Sequence, residues 1–339
     1  VGESHRTDLH HVHSLSRNIQ VHFNQNRMST PLPASKARIS ALLAKERFDV
    51  LHVQMPFSPL MAGRVIRSAP KKTVIVGTFH IIPFSSLEHI ATRLLAVWCK
   101  QQLRRLDAVY SVSAPAQKFA RKAFRIKSDI VPNPVNLAHY HNTSKPKRFA
   151  DGKVNIVFLG RLVERKGCGY LLQAIAKLHE QKKLDRVRVL LCGKGPLEPQ
   201  LRQYVADNHL GSIVHFLGYV SETEKKDYLA IADIAVFPSL GGESFGIVLI
   251  EAMAAGAKTV LAGNNVGYRY VMAGKKEQMV DPRAVGAFAK SLRHFITNSR
   301  ARQQAAKWQS EHVKQFDVRV VGNRLLSDYQ LLIAKKASN

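Results

Sequence analysis

The 339-residue sequence lacks several features that would assign it directly to a protein class. No uninterrupted apolar run approaches the ~18 residues of a membrane-spanning helix. The three cysteines lie far apart and form no C-x-x-C pair, which excludes a disulfide framework and indicates a reducing cytoplasm. Hydrophobic residues make up 45% of the chain, enough to fill a core, so a wholly disordered protein is excluded.

Acidic residues are scarce, since 24 Asp and Glu stand against 51 Lys and Arg and give a net charge of +27. Residues 1–150 hold 23 basic and 7 acidic residues, a balance of +16, and the remainder holds 28 and 17, a balance of +11. Such charge informs about partners rather than fold. Nucleic acid, an anionic membrane surface and a phosphorylated substrate are all compatible with it, as is a generally basic protein.

Short β-type runs alternate with helical segments, a pattern that predicts an α/β fold with parallel sheets. In the first half the predicted strands are 49–53, 72–77, 108–111 and 129–131, and the predicted helices are 35–47, 58–68, 85–106 and 114–124. The polar stretch 139–152 has no periodicity and predicts a linker. Further strands are predicted at 154–159, 187–191, 214–217, 234–237, 259–262 and 278–280. We expect doubly wound domains at 1–145 and 151–315, with a last helix in 316–339 that crosses back to the first domain.

Two loops that follow predicted strands carry residue types suited to a phosphorylated ligand. The loop 160–167 (GRLVERKG) places Arg161 and Lys166 between glycines, although an ordinary basic turn explains it equally well. The segment 240–251 (LGGESFGIVLIE) combines a helix start, whose backbone N–H groups suit an anion, with Glu243 and Glu251, which can accept hydrogen bonds from a sugar diol. The double glycine and the apolar run between the acids favour a ligand site over a simple capped helix.

The segment 240–256 (LGGESFGIVLIEAMAAG), with its acids spaced E-x7-E, resembles the donor-site signature of the family 4 retaining glycosyltransferases. The loop GRLVERKG resembles that family's phosphate loop, and the segments CGKGP and FLGYV follow in the expected order. The resemblance is specific over residues 155–267, looser in the first half, and strongest to the phosphatidylinositol mannosyltransferases. It implies the GT-B fold, in which two Rossmann-like domains face a cleft.

The resemblance implies catalytic roles for His80, Arg161, Lys166 and Glu243. His80 stands in VGTFH, where a family histidine faces the donor sugar, and a structural histidine at a strand end is the alternative. Glu251 would hold the ribose and Glu243 a hydroxyl of the donor sugar. The implied donor-binding residues are Gly160, Arg161, Lys166, Val220, Gly242, Glu243, Ser244, Phe245, Gly246, Ile247, Val248 and Glu251.

The sequence departs from the family pattern in two places. The segment VPNPVN carries Pro134 and Asn136 where the family usually has P-N-G-V-D, which puts the local backbone there in doubt. The family's opening strand and glycine-rich loop have no counterpart before Gln20, and the first residue is Val1. We therefore expect an N-terminal domain that is truncated at its start, with part of the active site missing.

The implied reaction moves a hexose, foremost mannose, from a nucleotide sugar such as GDP-mannose or a UDP-sugar to a membrane lipid such as phosphatidylinositol. Because the sequence has no D-x-D triplet, we expect no metal and no cofactor, with Arg161 and Lys166 neutralising the leaving diphosphate. The family's retention of anomeric configuration is carried over as an implication. The alternatives are a soluble or polysaccharide acceptor, or a basic nucleotide- or nucleic-acid-binding fragment without activity.

The predicted helix 35–47 (SKARISALLAKER) offers a candidate membrane contact. An apolar face is flanked by Lys36, Arg38, Lys45 and Arg47, and such a helix can lie on an anionic leaflet. A core-facing helix with a solvated basic face is an equal alternative. We expect a protein at the inner face of the membrane, with no nucleic acid partner, since the sequence shows no zinc pattern or helix-turn-helix. The cluster His10, His11 and His13 has no acids spaced to complete a metal site.

Overall fold

The computed structural model describes residues 12–23, 26–58, 60–82, 86–141, 149, 151–181, 184 and 186–338. The chain divides into two compact units. Unit 1 comprises the chain up to Val131 and the C-terminal segment from Asn323, and unit 2 comprises Pro132–Gly322. Each unit is built on its own parallel sheet.

Unit 1 contains a four-stranded parallel sheet in the order β3-β4-β5-β6 and a separate antiparallel hairpin, β1-β2. Its strands are β1 (Asn18–Phe23), β2 (Asn26–Pro31), β3 (Val50–Gln54), β4 (Val74–Phe79), β5 (Ala108–Ser111) and β6 (Asp129–Ile130). Its helices are α1 (Lys36–Glu46), α2 (Met61–Ser68), α3 (Ser86–Leu103) and α4 (Ala114–Phe119), the last continued by a π-helical turn, Ala120–Phe124. The four predicted strands and four predicted helices of this half are confirmed, and the hairpin was not predicted.

Unit 2 carries a six-stranded parallel sheet in the order β12-β11-β10-β7-β8-β9. Its strands are β7 (Val154–Leu159), β8 (Val187–Cys192), β9 (Val214–Gly218), β10 (Ile234–Phe237), β11 (Val260–Gly263) and β12 (Met279–Val280). Its helices are α5 (Leu137–His141), α6 (Cys168–Glu180), α7 (Glu198–Asp207), α8 (Glu222–Ala230), α9 (Ile247–Ala254), α10 (Val266–Val271), α11 (Val285–Thr297) and α12 (Ser299–His312). All six strands predicted for this half are confirmed.

The strand order of unit 2 reverses between β7 and β10, since the chain first builds outward through β8 and β9 and then returns to the other side of β7. In open parallel sheets, ligands bind beyond the carboxyl ends of the strands at such a reversal. The two loops singled out in the sequence, after β7 and after β10, meet at this point.

Two features at the ends of unit 2 differ from or extend the sequence reading. Part of the predicted linker 139–152 is helical, because α5 (Leu137–His141) begins two residues before it and runs into it. Asn136 accepts hydrogen bonds from the His139 N–H at the first turn of this helix. Helix α13 (Val318–Ala337) is divided between the units at Gly322, and its later part belongs to unit 1. There Lys336 Nζ donates to Asp107 Oδ2 at 2.5 Å.

Helix α1 turns its apolar side to the core of unit 1. Ile39 and Leu43 are 0% and 5% exposed and pack in a cluster that includes Ile66 and Ile75. The side chain of Ser35 caps the helix by accepting from the Arg38 N–H. The four cations predicted to bind a membrane, Lys36, Arg38, Lys45 and Arg47, are all exposed. The apolar side of α1 therefore faces the core, as in the alternative given for this helix above. Only the cations of α1 remain available to a membrane.

We expect Ile39→Ala to lower the free energy of unfolding by about 2–5 kcal/mol, because it opens a cavity under α1. Lys45→Gln on the exposed side of the same helix should change it by less than about 0.5 kcal/mol. Urea unfolding followed by circular dichroism measures both. Equal, small effects of the two substitutions would contradict the buried position of this face.

Candidate active site

The loops at the carboxyl ends of β7, β8 and β9 form one continuous edge of unit 2. Backbone hydrogen bonds join them, because the Gly160 N–H donates to Cys192 O at 3.0 Å and the Gly193 N–H donates to Gly218 O at 2.7 Å. Val220 follows two residues later and is partly exposed. The predicted donor-binding residues Gly160 and Val220 therefore lie in loops at the same sheet edge.

The loops after β7 and β10 are packed against each other at the reversal of strand order. The Leu240 N–H donates to Arg165 O at 2.8 Å. Gly167 has a φ of +74°, and a Cβ added there would lie 1.9 Å from Pro238 O. Only glycine fits this position, which explains the second glycine of GRLVERKG by backbone approach alone.

Glu243 is the hub that joins these two loops. Its Oε1 accepts from Lys166 Nζ at 2.7 Å, from Arg165 Nη1 at 2.8 Å and from Ser239 Oγ at 3.0 Å. Arg165 is 5% exposed and the Glu243 side chain 14% exposed, so this is a largely buried pairing. Burial alone would raise the pKa of Glu243, but the charges of Lys166 and Arg165 and the hydrogen bonds from Lys166 and Ser239 outweigh it and hold that pKa below its usual value.

Helix α9 begins directly after this hub without a side-chain cap. Its N-cap residue, Gly246, has a φ of +112°, and a Cβ there would lie 2.6 Å from the ring of the buried Tyr268. The first N–H groups of α9 therefore have no capping side chain, as an anion-binding helix start requires. Ile247 is exposed at 47% and Val248 is partly exposed, whereas Phe245 is buried with its ring against Phe316. Phe245 can thus serve a ligand only through its backbone.

Glu251, one and a half turns into α9, belongs to a second charged cluster. Its Oε1 accepts from Lys225 Nζ at 2.7 Å, and Lys225 also contacts Glu222 Oε2 at 2.6 Å. Burial would lower the pKa of Lys225, but hydrogen bonds to Glu222 and Glu251 outweigh it and raise that pKa. Tyr140, on α5, hydrogen-bonds to Glu251, and its pKa is raised, first by burial. The side chain of Glu251 is therefore held from two sides.

Four further predicted site residues belong to neither cluster. Arg161 is exposed just past the end of β7, Gly242 takes a φ of +71° in the loop after β10, and Ser244 lies in the same loop, partly buried. His80 lies in unit 1 at the carboxyl end of β4, where its ring nitrogen is hydrogen-bonded to the side chain of Gln54. Their roles stay predictions.

Five residues of the two clusters were not predicted from the sequence: Arg165, Ser239, Lys225, Glu222 and Tyr140. Arg165 stands inside GRLVERKG, but the sequence does not tell which of its three cations is buried. Lys225 sits in a segment, TEKKDY, that reads as an ordinary solvated helix. A buried cation needs a partner, and that requirement becomes visible only when the fold brings the acid to it.

Two family models match the chain. The model described as "Glycosyl transferases group 1" matches residues 141–311, half of the chain, and the model described as "Glycosyltransferase Family 4" matches residues 3–139. The phosphatidyl-myo-inositol mannosyltransferase of Mycobacterium leprae is 30% identical over 300 residues, which cover 88% of this chain and 77% of that relative. The chain belongs to glycosyltransferase family 4.

A further relative agrees with this membership, and solved structures share the fold. The phosphatidyl-myo-inositol mannosyltransferase of Mycolicibacterium smegmatis is 29% identical over 300 residues, 88% of this chain and 75% of the relative. A glycosyltransferase from Rickettsia africae superposes with a TM-score of 0.71 over 88% of this chain and 80% of its own, at 18% identity. Anabaena HepE, solved in complex with UDP, superposes with a TM-score of 0.70 over 87% and 82% of the two chains, also at 18% identity. The predicted GT-B fold of the glycosyltransferase, with two Rossmann-like parallel-sheet domains, is confirmed.

We expect Glu243→Gln to lower the free energy of unfolding of this glycosyltransferase by about 3 kcal/mol at pH 7, because it leaves Arg165 buried without its anion. Since the pKa of Glu243 is depressed in the folded state, the stabilisation is complete above the unfolded value of about 4.3 and is lost as the pH falls through the folded value. The difference in free energy of unfolding between wild type and variant should therefore become smaller below about pH 4.3.

Urea unfolding at a series of pH values between 7 and 3 measures that difference. Glu180→Gln, on the exposed last turn of α6, is the matched control and should change the free energy of unfolding by less than about 0.5 kcal/mol throughout. A difference for Glu243→Gln that stays constant down to pH 3 would show that its carboxylate is not stabilised by the cations.

Proposed function

We propose that this glycosyltransferase moves a hexose, with mannose from GDP-mannose as the first candidate, to a membrane lipid such as phosphatidylinositol, with retention of configuration and without a metal ion. The observation that carries the proposal is the Glu243 hub beside the uncapped start of α9. Two cations and a helix start without a side-chain cap lie at the reversal of strand order, where an open parallel sheet binds its ligand. The names of the mycobacterial relatives support the lipid acceptor.

The chemistry follows from charge. Cleavage of the bond between sugar and diphosphate develops positive charge on the sugar and negative charge on the leaving diphosphate. Lys166, with Arg161 and the α9 N–H groups, would neutralise the diphosphate and stabilise the transition state more than the ground state. Glu243 would accept a hydrogen bond from a sugar hydroxyl through Oε2, since Lys166, Arg165 and Ser239 all donate to Oε1. Glu251 would accept a hydrogen bond from the ribose.

The acceptor side is proposed to be a membrane surface. Among the residues that the structure describes, no helix is long and apolar enough to cross a bilayer. The balance of +16 in residues 1–150 and the exposed cations of α1 support attraction to an anionic leaflet, which we propose to be the inner face of the cell membrane.

Nucleotide affinity tests the donor site without an acceptor. We expect Lys166→Ala and Glu251→Ala each to weaken binding of GDP or UDP by about 1.5–3 kcal/mol in calorimetry, because each removes a charge-assisted contact. Lys177→Ala and Glu180→Ala are matched controls, since the last turn of α6 lies at the opposite edge of the sheet, and they should leave affinity unchanged. Unchanged nucleotide affinity in both site variants would show that the proposed donor site is wrong.

Metal independence is tested by chelation. Because the sequence has no D-x-D triplet and the site supplies its own cations, we expect hexose transfer to continue in excess EDTA. Transfer of radiolabelled mannose from GDP-mannose to phosphatidylinositol in mixed micelles measures this. A complete loss of transfer that manganese or magnesium restores would show the metal-free mechanism to be wrong.

A further inference from the structure

Helix α3 has an apolar stripe that faces away from the core of unit 1. Leu94, Val97 and Trp98, spaced i, i+3 and i+4, are 71%, 76% and 70% exposed. On the opposite side of the same helix, Cys99 is fully buried and Leu103 is 8% exposed. The inner side of α3 therefore packs in the core, and the outer stripe is apolar surface that is not buried in unit 1.

A basic groove of about 830 Å³ lies beside this stripe, between α3 and the π-helical turn Ala120–Phe124. Its walls carry Val97 and Lys100 from α3, Arg104 just after this helix, and Lys122, Phe124 and Arg125 from the turn and its end. We call the groove and the stripe together the α3 surface. The floor is anchored, because the ring of Phe124 packs against the buried rings of Phe57 and Phe79 at centroid distances of 4.9 and 5.3 Å.

The charge around the α3 surface is predominantly positive. Residues 92–127 hold nine Lys and Arg and one acid, Asp107, a balance of +8. That acid is already engaged, since its Oδ2 accepts from Lys336 Nζ at 2.5 Å and from the Ile75 N–H at 2.7 Å. No acid of this segment therefore neutralises the groove cations.

We propose that the α3 surface is where this glycosyltransferase docks on an anionic lipid bilayer. Leu94, Val97 and Trp98 enter the boundary between headgroups and acyl chains, and the groove cations bind lipid phosphates. Tryptophan prefers this boundary, and cations flanking an apolar helix face are the pattern of an interfacial helix. Helix α1 lacks the apolar half of the pattern, because its own apolar side is in the core.

The aliphatic part of the stripe favours lipid over nucleic acid. Bases stack on aromatic side chains, but Leu94 and Val97 offer no such platform. The proposal deepens the lipid-acceptor function proposed above, but it is measured without donor or acceptor turnover. Loss of nucleotide binding and loss of bilayer docking are therefore separate outcomes.

Trp98 reports docking directly, since the sequence has two tryptophans and the other is Trp308 in unit 2. In a Trp308→Phe background, we expect Trp98 emission to shift to the blue with vesicles of phosphatidylcholine and phosphatidylglycerol, and to be quenched by brominated acyl chains. Neutral phosphatidylcholine vesicles should give little change, and raising salt from 0.1 to 1 M should reverse the shift, because screening shortens from ~10 to ~3 Å. The Trp98→Phe protein, with Trp308 as the reporter, should show no shift.

Two variants and a charge-matched control separate the surfaces. Replacing Lys100, Arg104, Lys122 and Arg125 together by Gln should weaken partition into anionic vesicles by at least about tenfold, as should replacing Leu94, Val97 and Trp98 by Gln. The control replaces Lys36, Arg38, Lys45 and Arg47 of α1 by Gln, which removes the same charge, and it should weaken partition much less than the four-fold change in the groove. Far-UV circular dichroism and a urea unfolding midpoint close to those of the parent protein show that each variant is folded.

Three outcomes would overturn the proposal. In the first, the protein floats with anionic vesicles while Trp98 emission stays unchanged, which would locate docking elsewhere. In the second, neutral and anionic vesicles shift Trp98 equally, which would remove the role of the cations. In the third, a single-stranded oligonucleotide shifts Trp98 and anionic vesicles do not, which would assign the α3 surface to nucleic acid.

Discussion

One carboxylate oxygen, Oε1 of Glu243, holds together the two loops that meet at the reversal of strand order in unit 2 of this glycosyltransferase. It accepts from Lys166, Arg165 and Ser239, and so joins the loop after β7 to the loop after β10. Removing the acid is the costly change, because it leaves Arg165 as an unpaired charge in a poorly solvated place. This pairing also positions the start of α9, since Gly246 lies three residues after Glu243 and packs closely against the ring of Tyr268.

The same helix separates two electrostatic environments over one and a half turns. At its start, Glu243 with Arg165 and Lys166 gives a formal balance of +1. Farther along, Glu251 and Glu222 with Lys225 give a balance of −1. The helix dipole adds positive charge at the first end. The arrangement supports the nucleotide-sugar ligand proposed above, because oxygen anions need donors and hydroxyl groups need acceptors.

The sequence predicted the sheets well and the clusters only in part. Strands such as Val154–Leu159 are short apolar runs bounded by turns, and that signal is local. The pairing of Lys225 with Glu251 is not local, since 26 residues separate the partners and only the packing of α8 beside α9 unites them. The choice of Arg165 over Arg161 as the buried cation follows from the 3-10 turn Glu164–Lys166, which no propensity in GRLVERKG announces. Helix α5 was missed because a five-residue helix is too short to show periodicity.

Unit 1 shows why helix amphipathicity alone does not identify a membrane contact. Helix α1 has the sequence pattern of an interfacial helix, yet Ile39 and Leu43 fill the core, as they do in most surface helices. Helix α3 differs because it is apolar on two sides, and a folded domain can bury only one of them against its sheet. Exposed Leu94, Val97 and Trp98 keep an unfavourable contact with water that any covering partner would relieve. The informative signal is therefore the apolar side left over once the core is complete, and cations beside it determine which partner it suits.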